Sequence, residues 1–167
     1  MTDRISLFPK MMQGARAGLL ATLPMTIFMQ AAWMRLPARE RYPLPPRQIT
    51  RKLLQKVVAP RRKASERNQT LLTLLLHFLF GAMTGSLYGM FEDRIPLNRN
   101  VKGSLMGLAV WSGSYLGWIP GFGILSPATE HPWRRNLLII VAHLVWGMVL
   151  GIFTRKMNAH QRYIDLE

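Results

Sequence analysis

The chain has 167 residues, 49% of them hydrophobic, a formal net charge of +14 and no cysteine. The length fits one domain, 1–167, and the missing cysteine excludes disulfides, thiolate zinc sites and a Cys nucleophile. In a soluble protein so basic a balance suggests nucleic acid, but here Lys and Arg avoid four apolar stretches and crowd the segments between them. That distribution predicts an all-α polytopic membrane protein. It has four transmembrane helices arranged as two tandem hairpins, plus one interfacial amphipathic helix.

The first apolar run extends from about Ala17 to Trp33 and carries no charge. No clean cleavage site follows it and further spans do, so it reads as an uncleaved span rather than a signal peptide. Pro24 inside it predicts a kink. The other three runs extend from Leu71 to Phe91, from Gly103 to Ile119 and from Leu137 to Thr154. Each is long enough for a span of roughly 17–25 residues. A soluble bundle would need a polar stripe on every helix, and the second and fourth runs have none.

Between the first two runs lies "PPRQITRKLLQKVVAP", a proline-bracketed helix over about 46–58. Ile49, Leu53, Leu54 and Val57 recur at helical spacing, with Arg47, Arg51, Lys52 and Lys56 opposite. A basic amphipathic helix beside a span lies in the headgroup region and attracts anionic lipid; a docking face for an acidic partner is the alternative. No aromatic residues alternate with the charges to stack bases, so nucleic acid is not expected. "APRRKASERNQ" after it reads as a solvated linker.

Basic residues divide nine against thirteen between the two sides that four spans define. The positive-inside rule puts the first and third loops in the cytoplasm and both termini in the periplasm of a bacterial inner membrane.

The second run contains "HFLFGAMTG" from His77, and the fourth "HLVWGMVLG" from His143. Both read His, two residues, an aromatic, Gly, three residues, Gly. The first and third runs open alike, with Gly14 and Gly18 in one and Gly103 and Gly107 in the other, each followed by Leu. The chain therefore reads as a duplication: one hairpin over about 14–91 with the amphipathic helix inserted, another over about 103–154. Two-span units enter a membrane from the same side, so the repeat is parallel. Glycines recur every four residues at 14/18, 81/85/89, 103/107, 113/117 and 147/151. That spacing puts them on one helix face and lets backbones approach closely. All eleven are expected at helix-packing faces. The third loop, "WIPGFGILSPATEHPW", is apolar enough to dip into the membrane surface between Trp118 and Trp133.

Equivalent repeats put His77 and His143 at equal depth. Positions 0, +3, +4 and +8 share one helical stripe, so histidine, aromatic and glycines should face the same neighbouring helix. The simplest role for each imidazole is a structural hydrogen bond to an adjacent helix. A second is paired axial ligation of one haem or other pigment, and a third is a proton-linked role in transport. Glu92, Asp93, Glu130 and His131 read as interface charges pairing with Arg94 or Arg134, and adjacent Glu130 and His131 alone do not make a metal ligand set. There is no phosphate-binding glycine loop, no nucleophile with a partner base and no paired acid, so no enzymatic activity is expected.

The glycine openings of the odd helices, the Pro-rich basic first loop and the His-x-x-aromatic-Gly-x-x-x-Gly helices resemble the YagU-like family of small bacterial inner-membrane proteins. The resemblance runs from about Gly14 to Phe153. It implies an integral inner-membrane protein without an assigned reaction and supplies no catalytic residues. Residues and resemblance together point to a non-enzymatic accessory or scaffold protein, assembling with itself or a larger membrane complex. The alternatives are a haem- or pigment-binding subunit using His77 and His143, and a small oligomeric transporter or channel.

Overall fold

The computed structural model describes residues 7–57 and 65–164. Part of the expected linker, Arg4, and the side chains of Lys56, Val57, Arg155, Lys156 and Arg162 lie outside the described residues. Every regular element described is helical. Four long helices are α1 (Leu7–Trp33), α3 (Glu66–Phe91), α4 (Arg99–Ser112) and α6 (Trp133–Ile164). The basic segment forms α2 (Pro45–Val57), and α5 (Ile119–Gly121) is a single turn.

Local chemistry sets several ends. Ser65 caps α3 by accepting from the Asn68 amide, and Asn98 caps α4 by accepting from the Asn100 amide at 3.0 Å. Gly123, with φ of 61°, makes the left-handed turn that leaves α5.

Two helices, Glu66–Arg94 and Trp133–Thr154, are long and apolar enough to cross a membrane. The other two expected spans fall short for visible reasons. α1 carries Arg16 just before its apolar run, and Gln30 and several small residues within it. α4 stays regular for only 14 residues before a π-turn over Gly113–Trp118. The chain passes Pro24 inside an unbroken α1. A break in helical geometry falls at Gly117, whose φ and ψ (−109°, −105°) leave helical space. A residue without Cβ adopts that conformation at little steric cost.

Within each hairpin the helices meet along glycines. A Cβ on Gly14 would strike the Gly85 carbonyl, and one on Gly18 would strike the Gly81 carbonyl and lie 2.8 Å from the Gly85 Cα. Gly89 sits against the Lys10 carbonyl. In the second hairpin Gly103 and Gly147 abut each other's carbonyls, Gly107 abuts the His143 carbonyl and Gly151 the Arg99 carbonyl. Gly113 and Gly117 differ: a Cβ on either would meet nothing within 4 Å. Their expected place in a packing face is therefore corrected. The π-turn rotates that stretch off the α-helical register, so four-residue spacing no longer defines one face.

The hairpins join through α1 and α6. Ala17 and Ala21 of α1 and Ala142 and Leu150 of α6 are fully buried, in one cluster with Met25, Met29, Leu138, Ile139 and Trp146. α1 thus turns its glycines to α3 and its alanines to α6. The Trp146 indole N–H donates to the Gly18 carbonyl at 3.1 Å.

At one end of the molecule the first and third loops interlock. Arg135 donates to the carbonyls of Glu40 (3.3 Å), Tyr42 (2.9 Å) and Pro43, and its guanidinium stacks 3.6 Å over the Tyr42 ring. Tyr42 also hydrogen-bonds His131 Nδ1 at 2.8 Å. Glu40, buried, lies 3.6 Å from Arg134. At the opposite end the start of α1 meets the second loop. Lys10 pairs with Asp93 at 2.7 Å, Arg99 lies 4.0 Å from Glu92, and Lys102 donates to the Glu92 carbonyl. The Lys10 hydrogen bond, stronger than the opposing burial, holds the Asp93 carboxyl below its ordinary range. Lys10, Arg99 and Lys102 were not among the expected partners, Arg94 and Arg134. Nothing in residue spacing told which cation the fold would bring near.

Candidate functional site: a two-histidine cavity

α3 and α4 approach each other where Tyr88 OH donates to the Arg99 carbonyl at 3.4 Å. Toward the other end, a cavity of about 340 Å³ lies among α1, α2, α3, α6 and the π-turn that follows α4. That size lies at the lower end of the range for small-molecule sites. Both His77 and His143 line it, as do residues of every long helix. α2 closes one side with Pro46, Ile49, Thr50 and Leu53. The amphipathic helix therefore turns apolar residues toward the cavity. Of its basic residues, Arg47 is tied to Glu66 in an ion pair while Arg51 and Lys52 are exposed.

The two histidines do not occupy equivalent places. Sequence equates Gly81 with Gly147, yet Gly14 faces Gly85 whereas its counterpart Gly103 faces Gly147. The second hairpin is thus paired one helical turn out of step, about 6 Å. The backbone of His143 holds the position against Gly107 that Gly81 holds against Gly18. This offset lies within the hairpins and leaves the relative depth of the two histidines open to comparison only through the cavity that both line. The shared stripe is corrected. In α3 the glycines face α1, while Phe80 stands 6.1 Å from the Trp118 ring. In α6 Gly147 faces α4, while Trp146 reaches α1. A stripe covering positions 0 to +8 is wide enough to straddle two neighbours.

Hydrogen bonding inside the cavity is uneven. Thr22, Thr50, Thr73 and Thr84 each donate back to a carbonyl of their own helix, at 2.7–2.9 Å. Their donors are used up, as threonine within a helix commonly arranges. His143 Nδ1 lies 2.8 Å from the Ile139 carbonyl. A carbonyl can only accept, so that nitrogen carries the proton and Nε2 is left as acceptor in the neutral ring. Tyr115 sits edge-on to His143, ring centres 5.8 Å apart. His77 Nε2 is buried and has no hydrogen-bond partner. A buried polar atom left unpaired costs about 1–3 kcal/mol, so it marks a place where another group would be favourable. The expected structural hydrogen bond holds for His143, to its own helix rather than a neighbour, and not for His77 Nε2.

Sequence reading singled out the histidines and the glycines. It missed Trp118, Tyr115 and Ser114 as cavity residues and Arg135, Tyr42 and His131 as the loop clamp. The clamp joins residues some 90 positions apart and leaves no local pattern. Among the described residues, no group of three or more His, Asp or Glu is placed to hold a metal ion.

No curated protein and no solved structure matches the chain. A family model described as "Protein of unknown function (DUF1440)" matches residues 25–152, most of the chain, which therefore belongs to that family.

Proposed function

We propose that the protein is a four-span inner-membrane protein with a non-enzymatic accessory or scaffold role, assembling with itself or a larger membrane complex. The carrying observation is the outward apolar surface of all four long helices. Leu23 and Ile27 on α1, Leu75 and Met83 on α3, Leu105 on α4 and Met148 on α6 are among many exposed large side chains. Such a belt exceeds what a soluble monomer exposes and suits lipid or partner helices. Interlocking of loops one and three at one end, with the start of α1 and loop two at the other, fits four crossings. Membership of the family agrees with the YagU-like resemblance. Exposed Arg51 and Lys52 beside the membrane favour anionic lipid, with the first and third loops cytoplasmic.

Two measurements test this reading. The chain lacks cysteine, so single cysteines can be introduced at Gln48 and Asn98 and labelled from either side of intact cells and inverted vesicles. Opposite accessibility is expected, with Gln48 cytoplasmic; equal accessibility overturns the four-span arrangement. Size and partners in mild detergent test the role. A monomer that copurifies with no protein overturns it.

A second reading is favoured by one observation: both imidazoles line one cavity, with His77 Nε2 unpartnered and His143 Nε2 open beside a fixed Nδ1. A metal-ligating histidine is usually anchored this way through its other nitrogen. This is the haem- or pigment-binding subunit. Oxidised and reduced absorbance spectra decide it: a Soret band lost on replacing both histidines supports it, and its absence from protein made with haem available removes it.

A further inference from the structure

The cavity has a buried, unpartnered nitrogen in His77 Nε2, apolar walls and aromatic rings around it. From that combination we infer that it binds the head of an isoprenoid quinone, a flat apolar ring whose edge presents carbonyl oxygens. The inference goes beyond the accessory role. It assigns the cavity a ligand different from the porphyrin of the second reading, and the two exclude one another.

Three features select this chemistry. The first is hydrogen bonding. With the threonine hydroxyls committed to their own helices, His77 Nε2 remains as the buried group in need of a partner. As an N–H it donates to a carbonyl oxygen, and pairing removes the penalty of the unmatched buried atom. The second is shape. Phe80, Trp118, Tyr115 and Trp146 line the cavity near the two imidazoles, and Phe80 and Trp118 are tilted at 49° with centres 6.1 Å apart. Rings surrounding a site favour another ring, by offset or edge contact, over a single flexible chain. The third is the exit. Leu79, Met83 and Trp118 line the cavity and are also exposed on the molecule's side. On the four-span reading that side faces the bilayer, so a prenyl tail leaves the cavity between α3 and the π-turn directly into lipid. The site is closed differently toward the loops, where α2 covers it with Ile49 and Leu53.

The test uses the full chain purified in mild detergent. Trp118 and Trp146 line the site, so a benzoquinone with a ten-carbon tail, titrated in, should quench tryptophan fluorescence saturably. His77→Phe should weaken binding about tenfold, the equivalent of about 1.4 kcal/mol and one hydrogen bond. His77→Gln, which keeps an N–H donor, should retain more affinity than His77→Phe. Leu19→Phe, on the exposed side of α1 away from the cavity, should bind as wild type. If His77→Phe does not fold, His77→Gln and saturation in the wild type still decide. A parallel titration uses phosphatidylglycerol with brominated acyl chains. Saturable quenching by it that the quinone fails to displace overturns the inference in favour of an acyl chain. Quinone quenching that is linear, or unchanged in His77→Phe, overturns it as simple partition into detergent. A Soret band in the purified protein, dependent on both histidines, overturns it in favour of haem. None of these results bears on the labelling pattern or on copurifying proteins, so the accessory role stands or falls separately.

Discussion

The two sides on which the hairpins face each other differ sharply. On one side α1 and α6 are in full contact through Ala17, Ala21 and Ala142, sealed by the Trp146 indole on the Gly18 carbonyl. On the other, the cavity lies between α3 and the π-turn that follows α4. The aromatic residue of the repeated motif stands on both sides: Trp146 in one copy, Phe80 in the other. Trp146 has an N–H that reaches the Gly18 carbonyl, which also accepts from the Thr22 hydroxyl. Phe80 has no side-chain donor, and its ring meets the Trp118 ring. Trp118 itself lies just past Gly117, where the chain leaves helical geometry. One motif written twice therefore gives a closed seam and an open one. The difference comes from one indole N–H, the one-turn slip between hairpins, and the break at Gly117.

Each part of that contrast can be broken. The largest effect is expected within the hairpins, whose backbones touch. Gly18→Leu or Gly107→Leu drives a side chain into backbone that cannot yield. Either should cost upward of about 3 kcal/mol, the top of the range for overpacking, and abolish monodisperse elution. Gly113→Leu, with open space around it, should elute as wild type. If Gly113→Leu is as damaging as Gly18→Leu, glycine spacing rather than contact explains these helices.

Next comes the clamp between loops one and three. Arg135→Lys keeps the charge but loses the fork that holds three carbonyls at once. A loss of about 1.5–3 kcal/mol is expected for hydrogen bonds to a charged group, read as a fall in thermal midpoint. Arg134→Lys, whose partner is a single carboxylate, should fall less.

The seam itself should respond more mildly and asymmetrically. Trp146→Phe removes the bond to Gly18 and should cost about 1 kcal/mol beyond lost packing. Phe80→Trp, on the open side, should leave stability near wild type while reducing the cavity. Equal losses from the two would mean that the seams are not different in kind.

The smallest effect belongs to Lys10 and Asp93, which tie α1 to the second loop at an exposed site. A pair of this kind contributes about 0.2–1 kcal/mol. The folded Asp93 carboxyl has a lowered pKa, so its contribution is complete above the unfolded carboxyl's pKa. It is lost as pH falls through the folded value. The stability gap between wild type and Asp93→Asn should be present at pH 7 and close in acid below the normal carboxylate range. A gap that widens in acid contradicts this linkage.

The helices were legible because their signals are local. Apolar runs located α3 and α6 but fell short of their ends, since both helices continue into polar residues, while proline-bracketed spacing placed α2 within a residue at either end. The inner faces were partly legible, since paired glycines name where backbones can approach, and nine of the eleven do face backbone or a side chain of the adjacent helix. Gly113 and Gly117 show the limit: four-residue spacing assumes 3.6 residues per turn, and a π-turn breaks that assumption without a clear compositional mark. The histidines were legible as unusual, but not their surroundings.

Sequence by itself determined the helical class, the order of the elements, the basic surface helix and the glycine seams, because each depends on residues within a few turns of one another. Tertiary structure alone decided that the second hairpin slips by a turn, that Trp146 seals one seam and that His77 Nε2 is left unpartnered in a cavity that His143 also lines. Those outcomes depend on how separate helices settle against each other. A shift of one turn keeps the same glycines in contact with different partners, so nothing in the sequence period distinguishes one register from the next.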